Sequence, residues 1–575
     1  MQWIRVMTGV CITAAVSIAV VQSKAAPQQA PVAPVAQQAL NVALTGLDQP
    51  GMPGCSVGVV QRGSPTLWAG YGLADIENGS PITRETRFDI GSMSKQFLAM
   101  AIFMLEADGK LNLDDEVHKY VPELPAYPWP ITLRDMLHHT SGLKDYDQLL
   151  QIAGWVDGDV KSRHDILWAI ERQPELAFRP GARYSYSDSN YFLLGLIAER
   201  VTGQSVGTLL EDRIFLPLAM SHTGLRTDRW ALVPHKAWPY AVEDGKPKLF
   251  VDAQEPLGDG GIFSTVDDLA LWERNFDDPK VGPDIVGKME AVLLLTNGEP
   301  NEYAAGLYVR SYRGFSMIEH SGASYGYLAE KLRFPAQHAS AIVLCNRRDG
   351  PYIDLSNRLA DAVLGLTPIK DDLRSAGSQS TRTELARLAG LYFSDKTADG
   401  VELEERHGGI FDTGAYRTYS QTGPLTFTSS TAGVLCRCAT TLVFRLSSTG
   451  KVLGYDATRP AGPGGLITTS YARMDTPAAY SLSDFVGEYV SEDAATAWCV
   501  VSTGDRLVVR RRAFADRPLQ MVWTDAAAGP GGILQFDRHD GAVDGFRLRN
   551  VRLNEISFRK LPPREHPLPK PCACP

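Results

Sequence analysis

The sequence predicts three folded units: an α+β domain whose sheet joins its two chain ends, then two small antiparallel β-barrels. Three observations lead there. At 575 residues the chain exceeds what one hydrophobic core supports, since domains run to roughly 100–200 residues each. Strand-like runs bracket a helical middle between residues 54 and 345. Beyond residue 383, short strand-like runs recur between Gly, Asp, Ser and Pro turns, with hardly a helical pattern left.

Composition narrows the class. With 44% hydrophobic and 21% charged residues, 52 Gly and 36 Pro, the chain is neither collagen-like, coiled-coil nor wholly disordered. A formal charge of −9, from 57 basic and 66 acidic residues, argues against a non-specific nucleic-acid binder, which needs a basic face.

In chain order, residues 1–25 read as a secretory signal peptide. Arg5 supplies the positive start, Val6 to Val21 is uncharged, and small residues flank a cleavage point near Ala25. The apolar run is short for a membrane span, which needs about 20 residues. No later segment has a run long enough to span, so a periplasmic or secreted chain with no membrane span is expected after cleavage. Residues 26–38 are a Pro/Ala/Gln linker.

The α+β domain is expected over 39–366. Gly54 to Gly70 has the strand–turn–strand pattern of a hairpin. Gln96 to Ala107 is apolar on nearly every face, hence a buried helix, with Gly109 closing it. Asn190 to Thr202 is a second apolar helix, ended by Gly203, and Ala341 to Cys345 returns to a strand pattern. A polar break at 367–382 follows. The barrels are expected at 383–475 and 480–562, opened by a faint repeat, Leu388-Ala389-Gly390-Leu391-Tyr392 and Phe485-Val486-Gly487-Glu488-Tyr489. Residues 563–575 form a Pro/Cys tail. Cys436/Cys438 and Cys572/Cys574 are C-x-C pairs, readable as disulfides of an oxidising compartment; their spacing is not that of zinc ribbons. Cys55 and Cys345 sit in apolar strand-like runs and read as plain core residues.

Three segments could carry chemistry. Ser92 and Lys95 stand three apart as the buried helix begins, on one helix face. A serine hydroxyl needs a base to become a nucleophile, and a desolvated lysine can serve or can hold one that does. The helix start adds backbone N–H groups suited to an oxyanion. An isolated S-x-x-K is more often a capped helix with a solvated lysine; here the apolar helix argues that Lys95 is buried. In Tyr184-Ser185-Tyr186-Ser187-Asp188-Ser189, a phenolate beside a lysine is a plausible general base, and Ser187, Asp188 or Ser189 can also simply cap the next helix. His320-Ser321-Gly322-Ala323 precedes a strand-like run, where glycine permits close backbone approach. A lone histidine there is usually a surface residue.

Together, in this order, the three segments resemble the penicillin-recognising serine hydrolases, a group that includes class C β-lactamases, DD-peptidases, D-aminopeptidases and related esterases. The resemblance covers roughly residues 39–366. It runs through Ser92-Met93-Ser94-Lys95, Tyr186-Ser187-Asp188 and His320-Ser321-Gly322, supported by Leu137 to Leu143, Asn190 to Gly195 and Gly258 to Thr265. It implies a β-lactamase/transpeptidase-like fold, an antiparallel sheet plus an all-helical region, and the two trailing lipocalin-like barrels resemble a D-aminopeptidase layout. It implies Ser92 as the acylated nucleophile, with Lys95 and Tyr186 sharing the proton work and either one as base. Backbone N–H groups of Ser92 and Ala323 would form the oxyanion hole beside Gly322. His320 would orient substrate or the Tyr186 proton.

One residue departs from the family pattern. Asp188 stands where the family has asparagine, and an ionised carboxylate cannot donate to a substrate carbonyl. It is expected to pair with Lys95 or accept from a substrate ammonium, weakening β-lactam recognition. Neither metal nor organic cofactor is implied. The expected partner is a small-molecule or short-peptide substrate, with peptidoglycan as one source; no nucleic acid is expected, and a homodimer stays open. The expected activity is that of a D-aminopeptidase or DD-peptidase on small D-amino-acid peptides or amides. Alternatives are a carboxylesterase or β-lactamase on the same fold, or a non-catalytic binder of cell-wall peptides or a protein partner.

Overall fold

The structure, a computed structural model, describes residues 37–562 except 251–252, 351, 368–379, 407, 414–416, 430–439, 462–464, 476–479 and 512–513. The signal segment, residues 26–36 of the linker, both C-x-C pairs and the tail lie outside the described residues.

Six antiparallel strands build the main sheet, in the order Tyr308–Tyr312, Phe315–Ser324, Tyr327–Phe334, Ala339–Cys345, Cys55–Gln61 and Leu67–Tyr71. The two ends of the first domain thus meet side by side, as expected. Every residue of Cys55–Gln61, Tyr327–Phe334 and Ala339–Cys345 is buried, because the sheet is covered on both faces. Leu40 and Ala43, with Leu355, Leu359 and Val363 of helix Tyr352–Val363, pack on one face. On the other, Val266 and Leu269 join Ile342 and Leu344 in the large core of the helical region. There the apolar helix Lys95–Ala107 lies buried, its Phe97 ring 4.5 Å from Trp272 and 5.5 Å from Phe215. Gly109 and Gly203, with φ of 69° and 70°, follow the ends of Lys95–Ala107 and Asp188–Thr202 in the left-handed conformation that suits glycine there.

The cysteine reading is corrected. Cys55 and Cys345 are not plain core residues but a disulfide, with Cα atoms 4.1 Å apart. They face each other in register on adjacent antiparallel strands. Opposed side chains in such a pair come close enough to bond, and pairing register is not visible in either apolar run alone. Cys499 is also disulfide-bonded.

The β-rich half forms two closed barrels of eight antiparallel strands. Barrel 1 runs from Gly390–Ser394 to Gly465–Met474 and barrel 2 from Gly487–Ser491 to Asn554–Lys560. The repeat noticed in the sequence has a structural use. Tyr392 Oη donates to Leu388 O at 2.6 Å, and Tyr489 Oη donates to Phe485 O at 2.7 Å, so each first strand is tied to the short helix before it. Among the described residues no helix is long and apolar enough to cross a membrane.

Candidate active site

Ser92 lies in a single 3-10 turn, Gly91–Ser94, that runs directly into the buried helix. Lys95, one turn on, is fully buried. Burying an ammonium is costly unless each of its protons finds a partner. Here Nζ meets Ser92 Oγ at 2.9 Å, Asp259 O at 2.6 Å and Asp188 Oδ1 at 2.6 Å. Three donors have three acceptors, and one of those acceptors is the candidate nucleophile. The Asp259 carboxylate is itself held by Leu257 N at 2.8 Å and Tyr146 Oη at 2.5 Å. Burial raises its pKa.

Tyr186 presents its ring to Lys95, whose Nζ stands 5.1 Å from the ring centre. Its hydroxyl is buried without a well-formed hydrogen bond. Burial raises its pKa well above the ordinary value and the Asp188 charge adds to this, while the nearby Ser92 hydroxyl works the other way. In the resting site Tyr186 is therefore a neutral phenol that holds its proton tightly and can act as a base only after giving that proton up. The ring is wedged among aromatics: His139 at 4.3 Å, Tyr303 at 6.0 Å and His320 at 6.4 Å between centroids. His139 also fixes the loop beneath, its Nδ1 accepting from Ser187 N at 3.2 Å and from the Asn190 amide at 3.1 Å. Ser141 Oγ donates to Asn190 Oδ1 at 2.6 Å. Two of the three supporting segments that resemble the family, Leu137 to Leu143 and Asn190 to Gly195, are thus the brace of the Tyr186 loop.

Asp188 is the first residue of helix Asp188–Thr202, with Ser187 as N-cap. Of the two expected roles it takes the pairing with Lys95. Burial works to raise its pKa, but Lys95 and then Arg552 outweigh that, and the net direction is down. Its backbone N–H donates to Asp145 Oδ2 at 2.9 Å. Asp145 is fully buried, caps helix Tyr146–Ala153, and has its carboxyl pushed up to about 6 by burial, with Arg552 opposing and Asp188 reinforcing.

The strand Phe315–Ser324 presses against the serine turn. A Cβ on Gly322 would meet Ile90 O at 1.9 Å, and one on Gly91 would meet Ala323 N at 2.7 Å. Only glycines allow this approach, and Gly91 also sits at φ 51°. The backbones of Ser92 and Ala323 are therefore neighbours, which suits a two-donor oxyanion site. His320 is buried. Its Nδ1–H donates to Ser321 O at 2.6 Å, so Nε2 accepts from the Tyr303 hydroxyl at 3.0 Å. Burial, with Lys95 nearby, holds its pKa down to about 3, so the ring is neutral. It reaches Tyr186 through the aromatic cluster and not by a hydrogen bond of its own.

All seven sequence-nominated residues come together here. Others were missed. Tyr303 and Asp145 carry no motif signal beyond an aromatic and a helix cap. Arg552 comes from the last turn of barrel 2, between strands Ala542–Asn550 and Asn554–Lys560. Its Nη1 stands 3.5 Å from Asp145 Oδ2 and 3.6 Å from Asp188 Oδ2, and its guanidinium carbon 5.1 Å from the centre of the Tyr186 ring. The turn is pinned to the strand of chain before Tyr186 by Ser185 Oγ to Val551 O at 3.0 Å and Arg183 to Asn554 Oδ1 at 3.0 Å.

A serine bonded to a buried lysine, a tyrosine beside both, and two backbone segments converging on the serine make up a site of the acyl-transferring serine-hydrolase class. The chain belongs to the family described as Beta-lactamase, whose profile matches residues 37–365, more than half of it. The D-aminopeptidase of Gluconobacter oxydans (strain 621H) is 29% identical over 367 residues, 62% of this chain and 66% of that protein. The match thus spans just under two thirds of that relative's length. Among solved structures, the octameric penicillin-binding protein homologue from Pyrococcus abyssi superposes with a TM-score of 0.54 at 23% identity, covering 76% of this chain and 98% of that one. SurE superposes with a TM-score of 0.50 at 18% identity, covering 91% and 99%. These two likenesses concern the fold.

Proposed function

We propose that the chain is an exported serine hydrolase that works through an acyl-enzyme on Ser92, with small D-amino-acid peptides or amides as substrates. The observation that carries the reaction type is the three-way saturation of Lys95 by Ser92, Asp259 and Asp188 beside the buried Tyr186 phenol. The D-aminopeptidase relative supports the substrate class. The Cys55–Cys345 disulfide supports export, since such bonds persist in oxidising compartments.

For attack, the Lys95–Tyr186 pair must first have given one proton to solvent; Ser92 Oγ then bonds to the substrate carbonyl carbon as its own proton fills that vacancy. The oxyanion is met by the backbone N–H groups of Ser92 and Ala323. Collapse of the tetrahedral intermediate breaks the C–N bond, and the proton goes to the leaving amine. Water then repeats the sequence on the acyl-enzyme and frees Ser92. Asp188 keeps Lys95 oriented on Ser92 through the cycle, and His139, Tyr303 and His320 hold Tyr186 in place.

The test is a hydrolysis panel of D-aminoacyl anilides, D-Ala-D-Ala peptides, p-nitrophenyl esters and nitrocefin, with Ser92→Ala as control. D-residue amide bonds should be cleaved faster than nitrocefin, and Ser92→Ala should lose at least about a thousandfold. Nitrocefin as the best substrate, or activity surviving in Ser92→Ala, would refute the reading.

A further inference from the structure

The catalytic turn is gripped by a buried ionic network that takes no part in the acyl-transfer steps above. Gln96, the residue after Lys95, is fully buried. Its Nε2 donates to Met93 O at 2.9 Å, and that carbonyl belongs to the 3-10 turn, between Ser92 and Lys95 in the chain. Its Oε1 accepts twice, from Trp272 Nε1 at 2.6 Å and from Lys331 Nζ at 3.0 Å. An indole N–H and an ammonium can only donate, so they hold Oε1 towards themselves and leave Nε2 for the Met93 carbonyl. The main chain closes on the same residue, since a Cβ on Gly306 would meet Gln96 Cα at 2.7 Å.

Lys331 is itself fully buried, on strand Tyr327–Phe334 directly across from His320. Its Nζ pairs with Glu273 Oε1 at 2.9 Å and stands 5.4 Å from the centre of the Phe276 ring. Glu273 is buried as well, and its Oε2 accepts from Ser340 Oγ at 2.7 Å. Two residues further along the same face of the strand, Arg333 pairs with Glu290. A buried ion pair adds little stability over apolar side chains of the same volume, because desolvation offsets the attraction. Leucine or methionine would cover this face of the sheet as well. What an apolar side chain cannot do is fix the amide of Gln96.

We propose that Gln96 is a positioning residue for acylation, set in its working orientation by the buried Lys331–Glu273 pair. By gripping Met93 O it keeps Ser92 Oγ and Lys95 Nζ aligned for proton transfer, where a small misplacement costs about a hundredfold in rate. This rests on the hydrolase reading above and adds to it the residues that hold its nucleophile in place.

The test compares the full chain with Gln96→Met, with Lys331→Met/Glu273→Gln and with all three substitutions together. For each, the rate of Ser92 labelling by a fluorescent phosphonate is measured beside kcat and KM on a D-aminoacyl anilide. Gln96→Met and the pair variant should each lower kcat and the labelling rate at least about tenfold while KM moves less than about twofold. The combined variant should be no slower than Gln96→Met, because the pair acts only through Gln96. A general weakening of the core would instead make the losses multiply. Unchanged rates, a raised KM with kcat kept, or losses that multiply overturn the proposal. Should one variant fail to fold, the labelling rate and the kcat-against-KM split of the other decide it. A parent chain that neither labels nor turns over overturns the hydrolase reading and this one together, whereas a parent chain that labels no faster than its variants overturns this one alone.

Discussion

Barrel 1 and barrel 2 start from the same tyrosine tie and close the same number of strands, yet they are built into the molecule differently. Barrel 2 is filled with Phe485, Tyr489, Trp498, Phe536, Phe546 and Phe558, and this apolar core runs on into that of the catalytic domain. Trp498 even donates its indole N–H to Ile152 O at 3.2 Å. Barrel 1 keeps a core of its own around Tyr392, Phe444 and Tyr455. It buries the carboxylate of Asp412, and Asp399 accepts from Tyr471 Oη at 2.9 Å. Its ties to the catalytic domain are charged, such as Arg459 to Glu302 at 2.6 Å and Arg183 to Lys396 O at 2.7 Å. Against the catalytic domain, one copy of the scaffold is fused through shared apolar packing and the other is tied through polar contacts, while barrel 1 joins barrel 2 through an apolar cluster of Phe393, Ala398 and Met474 with Val522, Ala526 and Ile533. Among the described residues, only the fused copy supplies a residue to the active site.

The contrast can be broken most forcefully in the cores. Trp498→Ala and Phe444→Ala each empty a buried aromatic position, at a cost of about 3–5 kcal/mol. Trp498→Ala should lower the unfolding temperature of the catalytic domain and its activity together. Phe444→Ala should destabilise barrel 1 while the catalytic transition and turnover stay put. Scanning calorimetry beside an activity assay reads both, and parallel losses in the two variants would erase the distinction.

A smaller effect follows from two acids, Asp145, which is buried, and Asp399, which is half-buried. Burial pushes Asp145 up to about 6, from 3.8 in the unfolded chain. The folded state therefore holds this proton more tightly, so the associated stability is complete below about 3.8 and is lost as pH rises through about 6. Asp145→Asn cannot lose it, so wild type should become less stable relative to the variant as pH climbs through that window. In barrel 1, burial likewise raises Asp399. Asp399→Asn should shift stability with the same sign and leave the pH profile of turnover alone, whereas Asp145→Asn should move that profile. Urea unfolding at a series of pH values with matched rate measurements checks the pair.

The smallest effect concerns the tether. Arg459 is partly exposed against a buried Glu302. Arg459→Ala leaves the buried Glu302 with Arg310 Nε, 3.6 Å away, as its remaining partner, so it should cost about 1–2 kcal/mol and leave turnover unchanged. A large loss of activity would mean that barrel 1 also governs the site.

Much of this site was legible in the sequence because its logic is local. Ser92 and Lys95 sit one turn apart, and the apolar helix that follows implied the burial Lys95 shows. Tyr186 and Asp188 lie together at the start of another buried helix, and the Tyr392 and Tyr489 repeat marked where each barrel begins. What could not be read depends on which distant segments meet. The Cys55–Cys345 bond needs the register of two strands 290 residues apart. The partner of His320 is Tyr303, which no motif announces. Arg552 enters from another domain, in a turn whose sequence resembles any exposed loop.

The central claim is that Ser92 is the acylated residue of a working site. It is tested most directly by treating the full chain with a fluorescent penicillin or phosphonate and mapping the adduct by peptide mass spectrometry. The account predicts a single adduct on Ser92, absent from Ser92→Ala. Labelling of another residue, or equal labelling of the Ser92→Ala chain, would contradict it.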